Sequence, residues 1–140
     1  MMITRLLYKA RATHPSFTYH DLDILREGMA RNAKHHIKSF LLRSDRQYFQ
    51  ILEGPGTEVR ALAAAIARDP RLFAYEELLH VPVRERLLAG PAMEIHMLTP
   101  EDRALEQRLS QLSRTTPEAV KFALLRELAA LAHGKMAAVA

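Results

Sequence analysis

The chain has 140 residues, of which 49% are hydrophobic and 26% charged, enough apolar material for one compact domain and too much for a disordered segment. It has no cysteine, which excludes disulfide scaffolds, thiol catalysis and cysteine-ligated metals. The net charge is +4 and sits early: residues 1–46 carry nine Lys/Arg against four Asp/Glu, leaving eleven against twelve in residues 47–140.

The chain order predicts alternating strands and helices. Met2 to Tyr8 reads as a strand with Leu6 and Tyr8 on one face, because strand side chains alternate. Residues 10–18 read as a loop around Pro15. Thr18 is placed to cap a helix with Asp21 in its first turn. Leu22, Leu25, Met29 and Asn32 recur at spacings of three and four, which predicts one mostly apolar helix face ending in an amide. Ile37–Leu42 is a second strand, Ser44-Asp45-Arg46 a tight connection, and Gln47–Glu53 a third strand antiparallel to the second, with Tyr48, Gln50 and Leu52 on one face. Gly54-Pro55-Gly56 breaks it. Thr57 can then cap a helix whose Val59, Leu62, Ala63 and Ile66 face inward and which Asp69-Pro70 stops.

A fourth strand is expected within Tyr75–Val83 and a fifth over Ala92–Leu98, with Met93, Ile95 and Met97 on one face. Thr99-Pro100-Glu101-Asp102 and Thr116-Pro117-Glu118 are helix starts. They open two helices bearing Leu105, Leu109 and Leu112, then Leu124, Leu128 and Leu131. The order βαββαββ predicts an α+β fold: a ferredoxin-like sheet with two helices on one face, over residues 1–98, and a helical extension over 99–134. The Ala-rich tail, 135–140, is expected to fray into disorder.

Motifs for catalysis are missing. There is no Gly-rich phosphate loop, no His-Glu-x-x-His and no nucleophile elbow. An enzyme is not expected, nor a metal site, since adjacent His35 and His36 would not face one point on regular structure. What stands out is polarity on faces that should be apolar. Tyr8, Asn32 and Gln50 each point toward the helix–sheet interior, where an unpaired amide or phenol costs about 1–3 kcal/mol. They either satisfy one another and the backbone or form a site.

Tyr8, the Leu22-Asp23-Ile24-Leu25 stretch leading to Asn32, and Phe49-Gln50-Ile51-Leu52-Glu53-Gly54-Pro55 together resemble a BLUF domain, a blue-light sensor using flavin. Ile66–Arg71 and Val83–Met93 extend the resemblance, which covers about residues 2–98. It implies a blue-light photoreceptor that binds FAD and signals by light-driven hydrogen-bond rearrangement. In it Asn32 holds the flavin edge, Ile24 walls the ring, Gln50 is the photoactive glutamine, Tyr8 its partner and Met93 the methionine of the fifth strand. Arg71 matches a basic position near the outer part of the cofactor, and Lys38 falls where it would touch the ring or a phosphate. The chain departs from the family pattern at Ala10, Lys38, Ser39, Leu72 and Pro91.

Output is expected to reach a separate downstream signalling protein, from a cytoplasmic homo-oligomer. A flavin-free interaction module on the same scaffold is the alternative. An acyl phosphate hydrolase would need glycines in the loop after Tyr8, which are absent. Nucleic acid is disfavoured: the first third is basic, but nine Phe/Tyr and no Trp make no stacking platform.

Overall fold

The computed structural model describes the backbone of residues 2–16 and 18–139, with side chains through 132. Five strands, β1 (Ile3–Ala12), β2 (Lys38–Arg43), β3 (Gln47–Gly54), β4 (Leu72–Val83) and β5 (Met93–Met97), form one sheet in the order β4-β1-β3-β2-β5. All neighbours are antiparallel except β2 and β5, which run parallel. Helices α1 (Tyr19–Lys34) and α2 (Gly56–Ala67) follow β1 and β3. A 3-10 turn (Pro100–Asp102) leads into α3 (Arg103–Ser110), and α4 is Glu118–Val139. The α+β plan read from the sequence is the plan observed. Among the described residues no helix is long and apolar enough to cross a membrane.

Strand alternation divides the core in two. On the front face Leu6, Tyr8 and Ala10 of β1 and Leu52 of β3 pack against Val59, Leu62 and Ala63 of α2. Leu41, Tyr48 and Met93 meet Ile24 and Leu25 of α1. On the back face Leu7, Phe40, Leu42, Phe49 and Ile51 share one cluster with Leu109, Leu112, Leu124, Leu125 and Leu128. The C-terminal helices therefore cover the other side of the sheet and share its core, instead of trailing from a finished domain. The tail expected from residue 135 falls where side chains lie outside the described residues; the backbone of α4 is assigned to Val139.

Several local expectations change. The Thr18 hydroxyl makes no cap bond and instead donates to the Pro15 carbonyl at 3.4 Å. Asp21 pairs with buried Arg43, whose Nε lies 3.0 Å from Oδ1. The same guanidinium donates to the His14 and Ser44 carbonyls, at 2.5 and 2.8 Å, so one residue of β2 fixes the β1–α1 loop. Thr57 lies inside α2, whose cap position is Pro55. On α1 the inward face carries Asp21, Gly28 and Asn32, whereas Leu22 and Met29 are 60% and 44% exposed. The predicted stripe was rotated: Ile24, Gly28 and Asn32 follow one another at i, i+4 spacing on the side facing the sheet. That face is small and polar because it borders a cleft.

Two irregularities lengthen and twist β4. Its register against β1 shifts between Leu7 and Tyr8 and again between Lys9 and Arg11. Ala74 sits at the second shift with φ of 53°, a left-handed residue in a strand. The bulge lets Leu72 and Tyr75, three residues apart, pack on the same front-face cluster.

Candidate functional site

The cleft lies between α1 and α2 over the front of the sheet. It is a thin slot of about 490 Å³ including its open mouth. Tyr8, Ile24, Asn32, Gln50, Arg71 and Met93 all line it. Six residues spread from position 8 to position 93 are brought to one place by β1–β3 pairing, by α1 and β5 at its edges and, for Arg71, by the turn before β4.

Tyr8 and Gln50 are direct partners in the β1–β3 register, with side chains on the front face. Alternation and register together account for their meeting. The Tyr8 hydroxyl donates to Gln50 Oε1 at 2.5 Å, inside the core. Burial pushes the Tyr8 phenol well above its usual pKa, helped by neighbouring Tyr75, Tyr48 and Asp69, so it stays a neutral donor at physiological pH. With Oε1 committed to Tyr8, the Gln50 amide NH₂ makes no hydrogen bond among the described residues.

Asn32 is 1% exposed near the C-terminus of α1. Its Nδ2 donates to Ser39 Oγ at 2.9 Å and to the Ala92 carbonyl at 3.2 Å. Its Oδ1 is buried without a partner, as is the Tyr48 hydroxyl on the same cleft. An orphaned buried acceptor costs about 1–3 kcal/mol and is rare unless a bound molecule supplies the donor. A free acceptor on Asn32 and a free donor on Gln50, across a thin slot walled by Ile24 and Leu41, fit a planar heterocycle with its own N–H and carbonyl edge. A flavin ring has both.

The mouth is ionic and already compensated. Arg71 donates through Nε and Nη2 to Asp69, at 3.0 and 2.6 Å, and through Nη2 to Glu27 at 3.0 Å. Burial acts to raise the Asp69 pKa, but the Arg71 hydrogen bonds outweigh it and hold the carboxyl below its usual value. Arg31 adds a second cation to the same lining.

Met93 approaches α1 so closely that a Cβ at Gly28 would fall within its sulfur, so any larger residue there must push the thioether aside. Lys38 is the site residue that the structure does not bring to the cleft. Strand alternation sends it to the back when Ser39 faces the front, and its ammonium donates to the Ala89 and Gly90 carbonyls at 3.2 and 2.8 Å. It secures the loop before β5.

Sequence reasoning missed Ser39, Tyr48 and Tyr75. Tyr48 was read on the Gln50 face without being counted in the site, and Ser39 was legible from strand alternation along β2. Tyr75 stacks on Tyr8 with ring centroids 4.9 Å apart, and no sequence signal announces the bulge that puts it there.

The family described as sensors of blue-light using FAD (BLUF) matches residues 3–94. The chain belongs to the BLUF family. Among curated relatives, the blue light- and temperature-regulated antirepressor BluF of Escherichia coli is 30% identical over 91 residues, 64% of this chain and 23% of the relative. The photoactivated adenylate cyclase subunit beta-like protein FB of Euglena gracilis is 32% identical over 85 residues, 61% of this chain and 10% of the relative. The chain thus spans less than a quarter of the length of either. Among solved structures, the dark state of the BLUF protein BlrB superposes with a TM-score of 0.74 at 28% identity, covering 91% of this chain and 96% of that one. The photo-activated state of BlsA shares the fold, with a TM-score of 0.75 at 22% identity and coverage of 91% and 94%. The BLUF match spans the five-stranded sheet through the start of β5, and the superposition on BlrB extends the likeness over most of the chain.

Proposed function

We propose that this BLUF chain holds FAD in the α1–α2 cleft and senses blue light through the Tyr8–Gln50 hydrogen bond. The observation that carries the reading is the incomplete bonding of two amides on one slot: the buried Asn32 Oδ1 lacks a donor, and the Gln50 NH₂ has no acceptor among the described residues. Asn32 and Gln50 would hold the polar edge of the ring, Ile24 its face, and Arg71 and Arg31 the more exposed portion at the mouth. When bound, the flavin supplies light absorption and accepts an electron on excitation.

The chain's own residues supply two hydrogen-bond states. A carboxamide carries an acceptor and a donor on opposite sides. Turning the Gln50 amide over, or tautomerising it, exchanges what it offers to Tyr8 and to the cleft without moving charge. A net hydrogen bond is worth about 0.5–1.5 kcal/mol, which shifts a two-state population about two- to thirteen-fold. Met93 lines the same slot and opens β5, and its unbranched thioether repacks readily. It carries the change to the sheet edge. Output then passes to a separate partner protein in the cytosol, with the chain acting as a sensor and not as an enzyme.

Absorption spectra of the protein loaded with FAD test this. The flavin band should shift reversibly to the red under blue light, and Gln50→Leu should abolish the shift while leaving FAD bound. A normal shift in Gln50→Leu overturns the mechanism. A preparation that stays colourless after addition of FAD supports the flavin-free interaction module.

A further inference from the structure

β5 is an edge strand, bonded to β2 alone. Ser39 N–H donates to the Ala92 carbonyl at one end and Leu98 N–H to the Arg43 carbonyl at the other. In a parallel ladder the residues whose backbone faces the neighbour alternate. Residues 92, 94, 96 and 98 therefore face β2, and Met93, Ile95 and Met97 turn their N–H and C=O groups outward. Among the described residues none of those outward groups has a partner. The strand carries no lysine, no proline and no bulge; what guards it is its length of five residues and the single carboxylate of Glu94.

The segment is also complementary to itself. Read as Met93-Glu94-Ile95-His96-Met97, it can be laid antiparallel on a second copy about Ile95. Met93 then opposes Met97, Ile95 opposes Ile95, and Glu94 opposes His96. The outward backbone groups sit at the three positions that become hydrogen-bonded pairs, as a two-fold axis through Ile95 requires. Glu94 and His96 become the closer, non-bonded pair, a carboxylate facing an imidazole.

The flank is apolar. Tyr19, Leu22 and Leu25 of α1 form a groove with Ile95 and Met97. Tyr19 and Leu22 are 69% and 60% exposed, and Met29 continues the stripe. This is the face the sequence periodicity marked as buried.

We propose that two copies of this chain associate through β5, antiparallel about Ile95, joining their sheets into one. The association needs no flavin, so its failure leaves the light-sensing proposal standing, and the reverse.

The absence of native cysteine makes Ile95→Cys a clean probe. A hydrogen-bonded antiparallel pair holds its Cα atoms about 5.5 Å apart, within disulfide range. Mild oxidation should give a covalent dimer that reductant dissolves, whereas Val120→Cys, exposed on α4, should stay monomeric. Sedimentation equilibrium should show a dimer for the unaltered chain. Ile95→Pro removes an outward N–H together with the Ile95 side chain that packs beside Leu41 and Met93, and should weaken association about tenfold or more. Glu94→Lys, which leaves the backbone unaltered, should do the same. A chain that is monomeric at its highest soluble concentration overturns the proposal, as does a dimer that survives both substitutions. Cross-linking of Val120→Cys as fast as Ile95→Cys also overturns it. An edge reserved for a different protein would appear as the monomer.

Discussion

Buried polar groups in the cleft are partly paired and partly left without a partner, and the unpaired atoms make the predictions. Asn32 bonds Ser39 and Ala92 through nitrogen and nothing through oxygen. Asn32→Ala is expected to weaken FAD binding about tenfold or more while lowering the stability of the free protein by only about 1 kcal/mol, because an unsatisfied acceptor leaves along with the donor. Fluorescence titration and urea denaturation measure the two separately. Burial pushes the Tyr75 phenol up to about 12 and Tyr8 well above its usual value. A phenol whose folded-state pKa exceeds its unfolded value of about 10 supports folding fully below that value and loses the support as pH rises toward the folded one. Stability should therefore fall between about pH 10 and 12, and Tyr75→Phe should make that fall shallower in urea midpoints. At this scale Tyr8, Gln50 and Asn32 were legible because a polar group on an apolar face is visible in sequence. Lys38 lies away from the cleft because the pleat turns it to the back whenever Ser39 faces in.

Among the elements, the approach of α1 to β5 and the loop between β4 and β5 determine how Met93 is held. Gly28→Ala puts a methyl group into the Met93 sulfur, and should cost about 1–3 kcal/mol of stability and displace Met93 from the slot. Denaturant unfolding measures the cost, and quenching of bound flavin reports the displacement. The loop is fastened from the back of the sheet. Glu53 is fully buried and accepts from Arg5 Nε at 2.7 Å and from the Leu87 and Leu88 amides at 3.0 and 2.8 Å. Lys38 holds the Ala89 and Gly90 carbonyls. Lys38→Met should speed amide exchange across residues 84–92 and change FAD affinity less than about twofold. A large loss of affinity would return Lys38 to the cofactor site. The elements themselves were readable from period, caps and breakers. The bulge at Ala74 was not, because nothing in the residue identity requires a left-handed backbone there.

For the molecule as a whole, the sheet is covered on both faces, and the back layer is not an appendage. Leu125 is fully buried in the cluster that also contains Leu7, Phe40 and Phe49. Leu125→Ala should destabilise by about 2–5 kcal/mol, and sheet and helices should still unfold in one transition because they share that core. Circular dichroism and tyrosine fluorescence followed together in urea check both points. The amino-acid order alone determined the succession of strands and helices, the breaks between them and the presence of misplaced polarity. Those are local properties, set by backbone preference and by periods of two and 3.6 residues. Which polar groups meet, which helix face is left bare and which strand ends the sheet were decided only on folding. They depend on register and close approach between segments far apart in the chain, such as Tyr8 with Gln50 and Gly28 with Met93, and no local period encodes those pairings.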